Sequence, residues 1–292
     1  MKGSLEVMKK TWTFVDTPAK LEKAERRIRT EPTLALDTEY DSFRYFRERL
    51  CLLQVQTGGK SWLIDPLADL DLSFLGDVFN NPKILKIFHA GDNDIRILKR
   101  DYAFSFQGVF DTHRAASLLG FRRLALSTLL ESLLGITLEK KMQRSRWDMR
   151  PLSEEQLDYA ALDTAFLPAL YRKLEPELRE KGLEKEAKRH FVGLAEVAWQ
   201  PRTFDRLGHR KLPGYGQLSS EQKERIRRLY RWRFEKAKEM DLACFMLLPD
   251  PKLTALVRLE APSLRILAGP GLLSVESLKR FGVEILESLQ PQ

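Results

Sequence analysis

The sequence contains few cysteines, no long apolar run and no glycine-rich phosphate loop. Only Cys51 and Cys244 occur in 292 residues, which is too few for a disulfide framework and typical of a reducing compartment. No segment approaches the ~18 consecutive apolar residues that a membrane span needs, and residues 1–20 lack the apolar block of a secretory signal. The patterns G-x-x-x-x-G-K-[ST] and G-x-G-x-x-G are missing, so nucleotide-driven and dinucleotide-dependent functions have no support. We expect a cytoplasmic protein without membrane attachment.

Positive charge is what the composition has in excess. Lys and Arg number 49 against 41 Asp and Glu, which gives a net charge of +8 and a pI of about 9.4. Basic side chains that neutralise phosphates release condensed counterions, so this balance favours a nucleic acid as partner. Many basic proteins bind no nucleic acid, however, so charge alone leaves the question open.

The first third of the chain has the pattern of a β-rich segment. Short apolar and β-branched runs bounded by turns predict five strands, at residues 33–39, 49–56, 60–64, 84–89 and 108–111. From residue 113 onward, apolar residues recur at helical spacing. Ser153 and Gln156 form a capping-box pattern, which predicts the start of one helix over residues 154–174.

The last third follows a segment rich in proline and glycine. Residues 191–217 are predicted as a linker because Pro and Gly interrupt any periodicity there. A long basic helix is predicted at 218–240, with a charged face that is either solvated or binds RNA. The order of elements predicts an α/β domain over residues 1–190 and a small all-α domain over residues 218–292.

Acidic residues stand where apolar elements end, which is the pattern of a divalent-metal site. Hydrolysis of a phosphodiester needs a nucleophilic water and charge neutralisation, and two cations held by carboxylates supply both. Asp37 and Glu39 lie two residues apart at the end of a predicted strand and therefore share a face. Alternating acidic residues on a strand usually face solvent, so this pair alone is weak evidence.

A second acidic pair follows the strand predicted at 84–89. Gly91 permits a turn, and a helix begins at once. Asp92 has a sufficient structural role as the N-cap of this helix, so we predict that Asp94 is the metal-binding carboxylate. His89 could contact a ligand, although a histidine at a strand end is more often a hydrogen-bonded packing residue.

Tyr159 and Asp163 lie one turn apart on the helix predicted after Ser153 and share a face of it. The alanines between them leave room for another backbone or a substrate. A tyrosine–aspartate pair on a helix is common, so this pair is also weak evidence alone.

Together, the three motifs match a known pattern in order and type. D-x-E, a helix-opening Asp and Y-x-x-x-D resemble the motifs of the DEDDy 3′→5′ exonucleases. The segments DTEY, WLIDP, HAGDNDI, FDTHRAASLLG and RSRWDMRPLSEEQLDYAALD resemble ribonuclease D, and LYRWRFEKAKEMDLACFMLLPDPKLTAL resembles an HRDC domain. The resemblance covers residues 10–190 and 215–289. It implies a ribonuclease H-like fold, in which helices flank a mixed five-stranded sheet, followed by a helical HRDC-like domain.

The resemblance also implies a role for each motif residue. Asp37 would bridge two divalent metal ions, Mg²⁺ or Mn²⁺. Glu39 and Asp163 would hold the first ion, and Asp94 would support the second through water. Tyr159 would orient the attacking water, since a phenol with a pKa of about 10 is a poor base at neutral pH. The implied product is a nucleoside 5′-monophosphate released from a 3′-hydroxyl end.

Basic and aromatic residues near the motifs are candidate nucleic-acid contacts. Aromatic rings can stack on bases of any sequence, and basic side chains can hold phosphates. The alternative for each is a packed ring or a solvated charge. The candidates are Tyr40, Phe43, Tyr45, His89, Lys141, Arg144, Arg146 and Trp147.

The expected substrate is the single-stranded 3′ end of an RNA, such as a tRNA precursor or a small structured RNA, with no obligate protein partner evident. A DNA-directed exonuclease of the same superfamily is the alternative, since RNA identity rests on 2′-hydroxyl contacts that a sequence does not show. A non-catalytic nucleic-acid-binding protein is disfavoured because every motif residue is present. Longer ribonuclease D chains carry two C-terminal helical domains where this sequence shows one, so their substrate selectivity does not transfer.

Overall fold

The computed structural model describes residues 11–138 and 142–290, which form two compact units. The first unit contains the chain up to Asp41 together with Arg49–Gln200. The second contains Ser42–Glu48 and the chain from Pro201 onward. Within the described ranges, no helix has both the length and the apolar character needed to cross a membrane.

One mixed sheet of six strands forms the centre of the first unit. The strands are β1 (Trp12–Val15), β2 (Thr33–Asp41), β3 (Arg49–Thr57), β4 (Lys60–Ile64), β5 (Leu85–Phe88) and β6 (Val109–Asp111). Their order across the sheet is β1-β4-β3-β2-β5-β6. β3 runs antiparallel to both of its neighbours, and the remaining pairs are parallel. The predicted mixed α/β sheet is confirmed, and all five predicted strands are present.

The sixth strand, β1, was missed by the sequence analysis. Its four residues are too few to show a period-two pattern, and it is held by parallel pairing with β4 at the sheet edge. The indole Nε1 of Trp12 also donates a 2.7 Å hydrogen bond to Asp158.

Helices of the first unit cover both faces of this sheet. They are α1 (Pro18–Ile28), α2 (Phe74–Asn80), α3 (Asp92–Tyr102), α4 (Thr112–Leu118), α5 (Leu126–Leu134), α6 (Glu154–Ala165), α7 (Leu167–Glu180) and α8 (Glu184–Ala195). Leu36 of β2 packs with buried side chains of α1, α2 and α3, whereas Ala35 packs with those of α4, α5 and α7. Because side chains alternate along a strand, Asp37 and Glu39 lie on the Ala35 face and Thr38 lies on the Leu36 face.

The single helix predicted over residues 154–174 is in fact two helices. Phe166, with φ of −103° and ψ of −4°, separates α6 from α7. Pro168 at the start of α7 has no N–H to continue the hydrogen bonding of α6, which explains the break. The predicted capping box is present, because the Ser153 side chain accepts from the Gln156 N–H and the Gln156 side chain accepts from the Ser153 N–H.

The second unit is helical, as predicted. Its helices are α9 (Ser220–Glu239), α10 (Cys244–Leu247), α11 (Asp250–Val257), α12 (Leu264–Leu267) and α13 (Val275–Leu289). The predicted linker is shorter than expected, because α8 extends to Ala195 and residues 208–211 and 215–217 form 3₁₀ turns. Leu212 of this segment and Leu218, directly after it, are buried in the core of the second unit, so they anchor the segment to that core.

Residues Ser42–Glu48, which connect β2 to β3, belong to the second unit. Phe46 packs edge-on against Phe234, with ring centroids 5.1 Å apart. The N–H of Ala243 donates a 2.9 Å hydrogen bond to the carbonyl of Arg44. This loop is therefore part of the helical core, which its sequence did not show.

Candidate active site

Two carboxylates of the candidate site come from β2. Asp37 and Glu39 are half-buried on one face of this strand, and the register with β3 shifts between Glu39 and Tyr40. Helix α6 packs on β2, β3 and β4 and brings Tyr159 and Asp163 to this site. The first and third motifs lie near each other because α6 packs on β2.

Asp94 reaches the site from α3. Its side chain is 6% exposed, and its Oδ1 accepts a 2.5 Å hydrogen bond from the hydroxyl of Thr38. Thr38 is the residue between Asp37 and Glu39, so this bond ties α3 to the D-x-E motif. The role of Thr38 could not be predicted, because nothing in the sequence distinguishes it from any other threonine of a strand.

The turn that leads into α3 differs from the predicted one. The residue in left-handed conformation is Ala90, with φ of +57°, and Gly91 has an ordinary φ of −72°. Glycine is required at 91 for space, because a Cβ there would lie 2.7 Å from side-chain atoms of Phe88. The Gly91 N–H donates to Asp111 Oδ2 at 2.9 Å, which fixes the turn.

The predicted capping role of Asp92 is wrong. Gly91 occupies the N-cap position of α3, and no side chain caps this helix. Asp92 is the first helical residue and forms an ion pair with Arg114, with a separation of 2.6 Å. Asp92 therefore still has a structural partner, whereas Asp94 acts electrostatically on Asp37.

Neighbouring carboxylates raise the pKa of Asp37 and of Glu39. Burial raises the pKa of Asp37 well above its ordinary range, and the negative charges of the other three carboxylates raise it further. The pKa of Glu39 is likewise raised well above its ordinary range, by burial first and then by Asp163 and Asp94. These effects indicate that the four side chains lie close together, since Coulomb interactions weaken with distance.

The pKa values of Asp94 and Asp163 are also raised, and burial is the main cause for both. Burial raises the pKa of Asp94 to about 6, against a lowering effect of the hydrogen bond from Thr38. Burial raises the pKa of Asp163 to about 7, against a lowering effect of the hydrogen bond from Tyr159. The site therefore concentrates negative charge that a cation would neutralise.

The donor chemistry of the site fits a divalent cation. Carboxylate oxygens are the ligands that Mg²⁺ and Mn²⁺ prefer. Over the described part of the chain, no three His, Cys, Asp or Glu side chains are arranged as a metal-coordinating cluster. The electrostatic effect of the carboxylates on Asp37 and Glu39, rather than a preformed cage of ligands, therefore marks this candidate site.

Tyr159 presents a neutral phenol beside these carboxylates. It is hydrogen-bonded to Asp163, one turn later on α6. Burial raises the pKa of Tyr159 above that of a free phenol, and the charges of Asp163 and Glu39 raise it further. At neutral pH this group can donate or accept a hydrogen bond but cannot serve as a base.

The loop before α6 carries four of the predicted nucleic-acid contacts. Trp147 is 2% exposed and packs near Tyr159, with ring centroids 6.1 Å apart, so the prediction that it contacts bases is wrong and it is a packed tryptophan. Arg146 forms a two-point ion pair with Asp148, with both separations 2.8 Å. Arg144 is exposed and stays a predicted contact, while Lys141 lies outside the described residues.

This loop is fixed by Arg150, a residue that the sequence analysis did not single out. Its guanidinium binds Asp65 through two hydrogen bonds, of 2.6 and 2.5 Å. It also donates to the carbonyls of Cys51 and Trp147, at 2.7 and 2.8 Å. Asp65, the acidic residue of WLIDP, therefore helps to fix the loop that leads into α6 through its ion pair with Arg150.

Two of the remaining candidates, Tyr40 and His89, have structural partners. The hydroxyl of Tyr40 accepts a 2.8 Å hydrogen bond from Asn93. The Nδ1 of His89 lies 2.9 Å from the hydroxyl of Thr112. Burial lowers the pKa of His89 to about 4, so the imidazole is neutral at pH 7 and cannot attract phosphate by charge. Contact of Tyr40 or His89 with a nucleic acid stays a prediction.

Comparison with known proteins places these features in a family. A family model described as a 3′-5′ exonuclease matches residues 12–179, and the HRDC domain model matches residues 222–289. Ribonuclease D from Shewanella sp. (strain ANA-3) is 30% identical over 291 residues, which is 98% of this chain and 74% of that protein. Against eukaryotic exosome component 10 and RRP6 relatives, this chain spans only about a fifth to two fifths of their length.

Solved structures show the same relationship. The catalytic core of RRP6 from Trypanosoma brucei is 25% identical with a TM-score of 0.86, covering 95% of this chain and 78% of that one. NrnC from Brucella melitensis, solved with bound Mg²⁺, is 28% identical with a TM-score of 0.55, covering 63% of this chain and 89% of that one. The chain therefore belongs to the ribonuclease D type of the 3′-5′ exonuclease family and carries an HRDC domain.

Proposed function

We propose that this protein is a 3′-5′ exoribonuclease that removes nucleotides from the single-stranded 3′ end of RNA with two divalent cations, Mg²⁺ or Mn²⁺. The observation that carries the proposal is the electrostatic coupling of four carboxylates beside a neutral phenol. They come from β2, α3 and α6, and they are Asp37, Glu39, Asp94 and Asp163. The ribonuclease relatives support RNA as the substrate.

Each residue of the site has a proposed task. Bound cations supply a metal-activated water and neutralise the leaving oxygen. Asp37, which is coupled to all three other carboxylates, would be shared by both ions. Glu39 and Asp163 would hold one ion and Asp94, oriented by Thr38, the other. Tyr159 would orient the attacking water through its hydroxyl. Attack of this water on the 3′-terminal phosphodiester would release a nucleoside 5′-monophosphate.

The distribution of charge supports a second contact with RNA. The second unit contains 19 Lys and Arg against 12 Asp and Glu, a net charge of +7, so it holds nearly all of the +8 of the chain. A unit with this excess of positive charge favours contact with phosphates, which does not read sequence. We propose that it retains the body of a tRNA precursor or small structured RNA in the cytoplasm while the 3′ end is trimmed.

Digestion of 5′-labelled oligonucleotides tests the function. Matched single-stranded RNA, single-stranded DNA and 3′-tailed tRNA are incubated with Mg²⁺ or Mn²⁺. A ladder that shortens from the 3′ end, with RNA faster than DNA, is expected. Faster cleavage of DNA than of RNA would show that DNA is the preferred substrate. A lack of cleavage with both metals would contradict the proposed exonuclease function.

Tyr159→Phe is expected to slow turnover by about 10²-fold, because a positioned proton-handling or water-orienting group contributes roughly 10²–10⁴. Its Mn²⁺ affinity should stay within about threefold of wild type, since the phenol is not a carboxylate ligand. Single-turnover cleavage and calorimetric Mn²⁺ titration measure the two quantities. A parallel loss of both would assign Tyr159 to metal binding instead.

Asp94→Asn and Asp92→Asn form a matched pair on the first turn of α3. We expect Asp94→Asn to lose at least about 10²-fold in cleavage rate, because it weakens charge neutralisation at one cation. Asp92→Asn should retain the rate and lower only the unfolding midpoint, because it weakens the ion pair with Arg114. Cleavage assays that reverse this order would assign the metal to Asp92.

A further inference from the structure

Gln54 is a fully buried amide in the middle of β3. Its side chain has 0% exposure, and among the residues that the structure describes neither its Oε1 nor its Nε2 has a hydrogen-bond partner. A buried polar group without a partner destabilises the folded state, and nearly all such groups in proteins are paired. Two unpaired atoms on one core residue therefore indicate a role other than packing.

The position of Gln54 points to that role. It lies directly opposite Asp37 in the antiparallel pairing of β2 with β3. Residues directly opposite each other project from the same face, with Cβ atoms about 4.5–5.5 Å apart. On its other side Gln54 is opposite Leu63 of β4, which offers no hydrogen-bonding group. Asp37 is thus the polar neighbour across the strand.

Gln56 provides an internal comparison on the same face of β3. It lies opposite Ala35, and its Oε1 accepts a 2.6 Å hydrogen bond from the hydroxyl of Ser61. The two glutamines share a strand, a face and deep burial. They differ in that Gln56 has a partner and Gln54 faces a carboxylate of the candidate site.

We propose that Gln54 is a positioning residue for Asp37, an inference that rests on the proposed two-metal function. Its Nε2 donates a hydrogen bond to the ionised carboxylate of Asp37 and holds it in the orientation that cations require. Groups that orient a metal-binding side chain in this way raise metal affinity, and their loss costs about 10–100-fold in affinity or activity.

Gln54→Met and Gln56→Met test the inference as a matched pair, with Gln54→Leu as a second variant in case the first folds poorly. Each replaces the amide with an apolar side chain of similar length. For Gln54→Met we expect an unfolding midpoint equal to or above that of the wild-type protein without metal, because an unpaired polar group is removed. We also expect Mn²⁺ affinity, measured by calorimetric titration, to fall about 10–100-fold.

Gln56→Met should show the opposite pattern. Its unfolding midpoint should fall, because Ser61 loses its 2.6 Å hydrogen bond to Gln56 and keeps only the 3.4 Å one to the Ala161 carbonyl. Its Mn²⁺ affinity should stay within about twofold of the wild type. Unchanged Mn²⁺ affinity in both Gln54 variants would overturn the inference and assign this residue to packing. If the wild-type protein itself binds no Mn²⁺, the two-metal function fails first, so the two failures are distinguishable.

Discussion

Asp37→Asn is expected to abolish RNA cleavage, with a rate at least about 10³-fold below that of the wild-type protein. Asp37 carries the carboxylate that is coupled to Glu39, Asp94 and Asp163, and asparagine removes its charge at nearly constant shape. Neutralisation of charge by a metal is worth several kcal/mol in a transition state, and each 1.36 kcal/mol is a factor of ten in rate. Single-turnover cleavage of a 5′-labelled RNA measures the effect.

Asp69→Asn is the matched control for this substitution. Asp69 is an exposed aspartate of the first unit, and its replacement should leave at least about half of the wild-type rate, since surface substitutions change little. If the Asp37→Asn protein is folded and keeps a tenth or more of the wild-type rate, Asp37 is not required for the reaction.

Divalent cations are expected to raise the unfolding midpoint by roughly 5–10 °C. A ligand that binds the folded state alone stabilises it by about 2.7 kcal/mol at 100 times its Kd, and each kcal/mol shifts the midpoint by about 2–4 °C for a chain of about this size. Thermal unfolding with and without Mn²⁺ measures the shift. Asp37→Asn should lose most of it, whereas Asp69→Asn should keep it.

The same measurement without metal should depend on pH in a defined direction. The pKa values of Asp94 and Asp163 are raised to about 6 and about 7 in the folded protein, against about 3.9 in an unfolded chain. Between these values the folded protein binds more protons than the unfolded chain, so the free energy of unfolding falls as the pH rises. The contribution is complete below about pH 4 and is lost by about pH 7.

Cations should act against this loss, because they bind the ionised carboxylates. The metal-induced rise in midpoint should therefore be larger at pH 8 than at pH 5. Equal rises at both pH values would show that the cations act somewhere other than this cluster.

The carboxylates and the tyrosine could be proposed from the sequence because each pair follows a local rule and their order matches the exonuclease motifs. Asp37 and Glu39 share a face through the two-residue period of a strand, and Tyr159 and Asp163 share one through the helical repeat. The capping box at Ser153 marked the start of α6, so the third motif could be placed on a helix. What the sequence left open was whether these local faces meet.

Residues whose role depends on contacts distant in sequence could not be found in this way. Gln54 and Asp37 are 17 positions apart and become neighbours through the β2–β3 register. Thr38 becomes a partner of Asp94 once α3 docks beside β2. Trp147 was misread for the same reason: a tryptophan in a basic loop looks like a base-stacking residue until its burial is known.

The domain boundary shows the same limit. Ser42–Glu48 looks like an ordinary polar and aromatic loop, and its assignment to the second unit depends on the packing of Phe46 against Phe234. The linker was predicted to begin at residue 191, whereas α8 continues through Gly193 to Ala195, since a single glycine is tolerated within a helix. Short β1 was missed because four residues carry little periodicity.

The most direct measurement is electron paramagnetic resonance of the metal-free protein during titration with Mn²⁺. If Asp37 is shared by two ions, two Mn²⁺ should bind per chain and give the spectrum of a coupled pair about 3.5–4 Å apart, and Asp37→Asn should abolish the coupled signal. A single isolated Mn²⁺ signal, or a coupled signal that survives Asp37→Asn, would contradict the account.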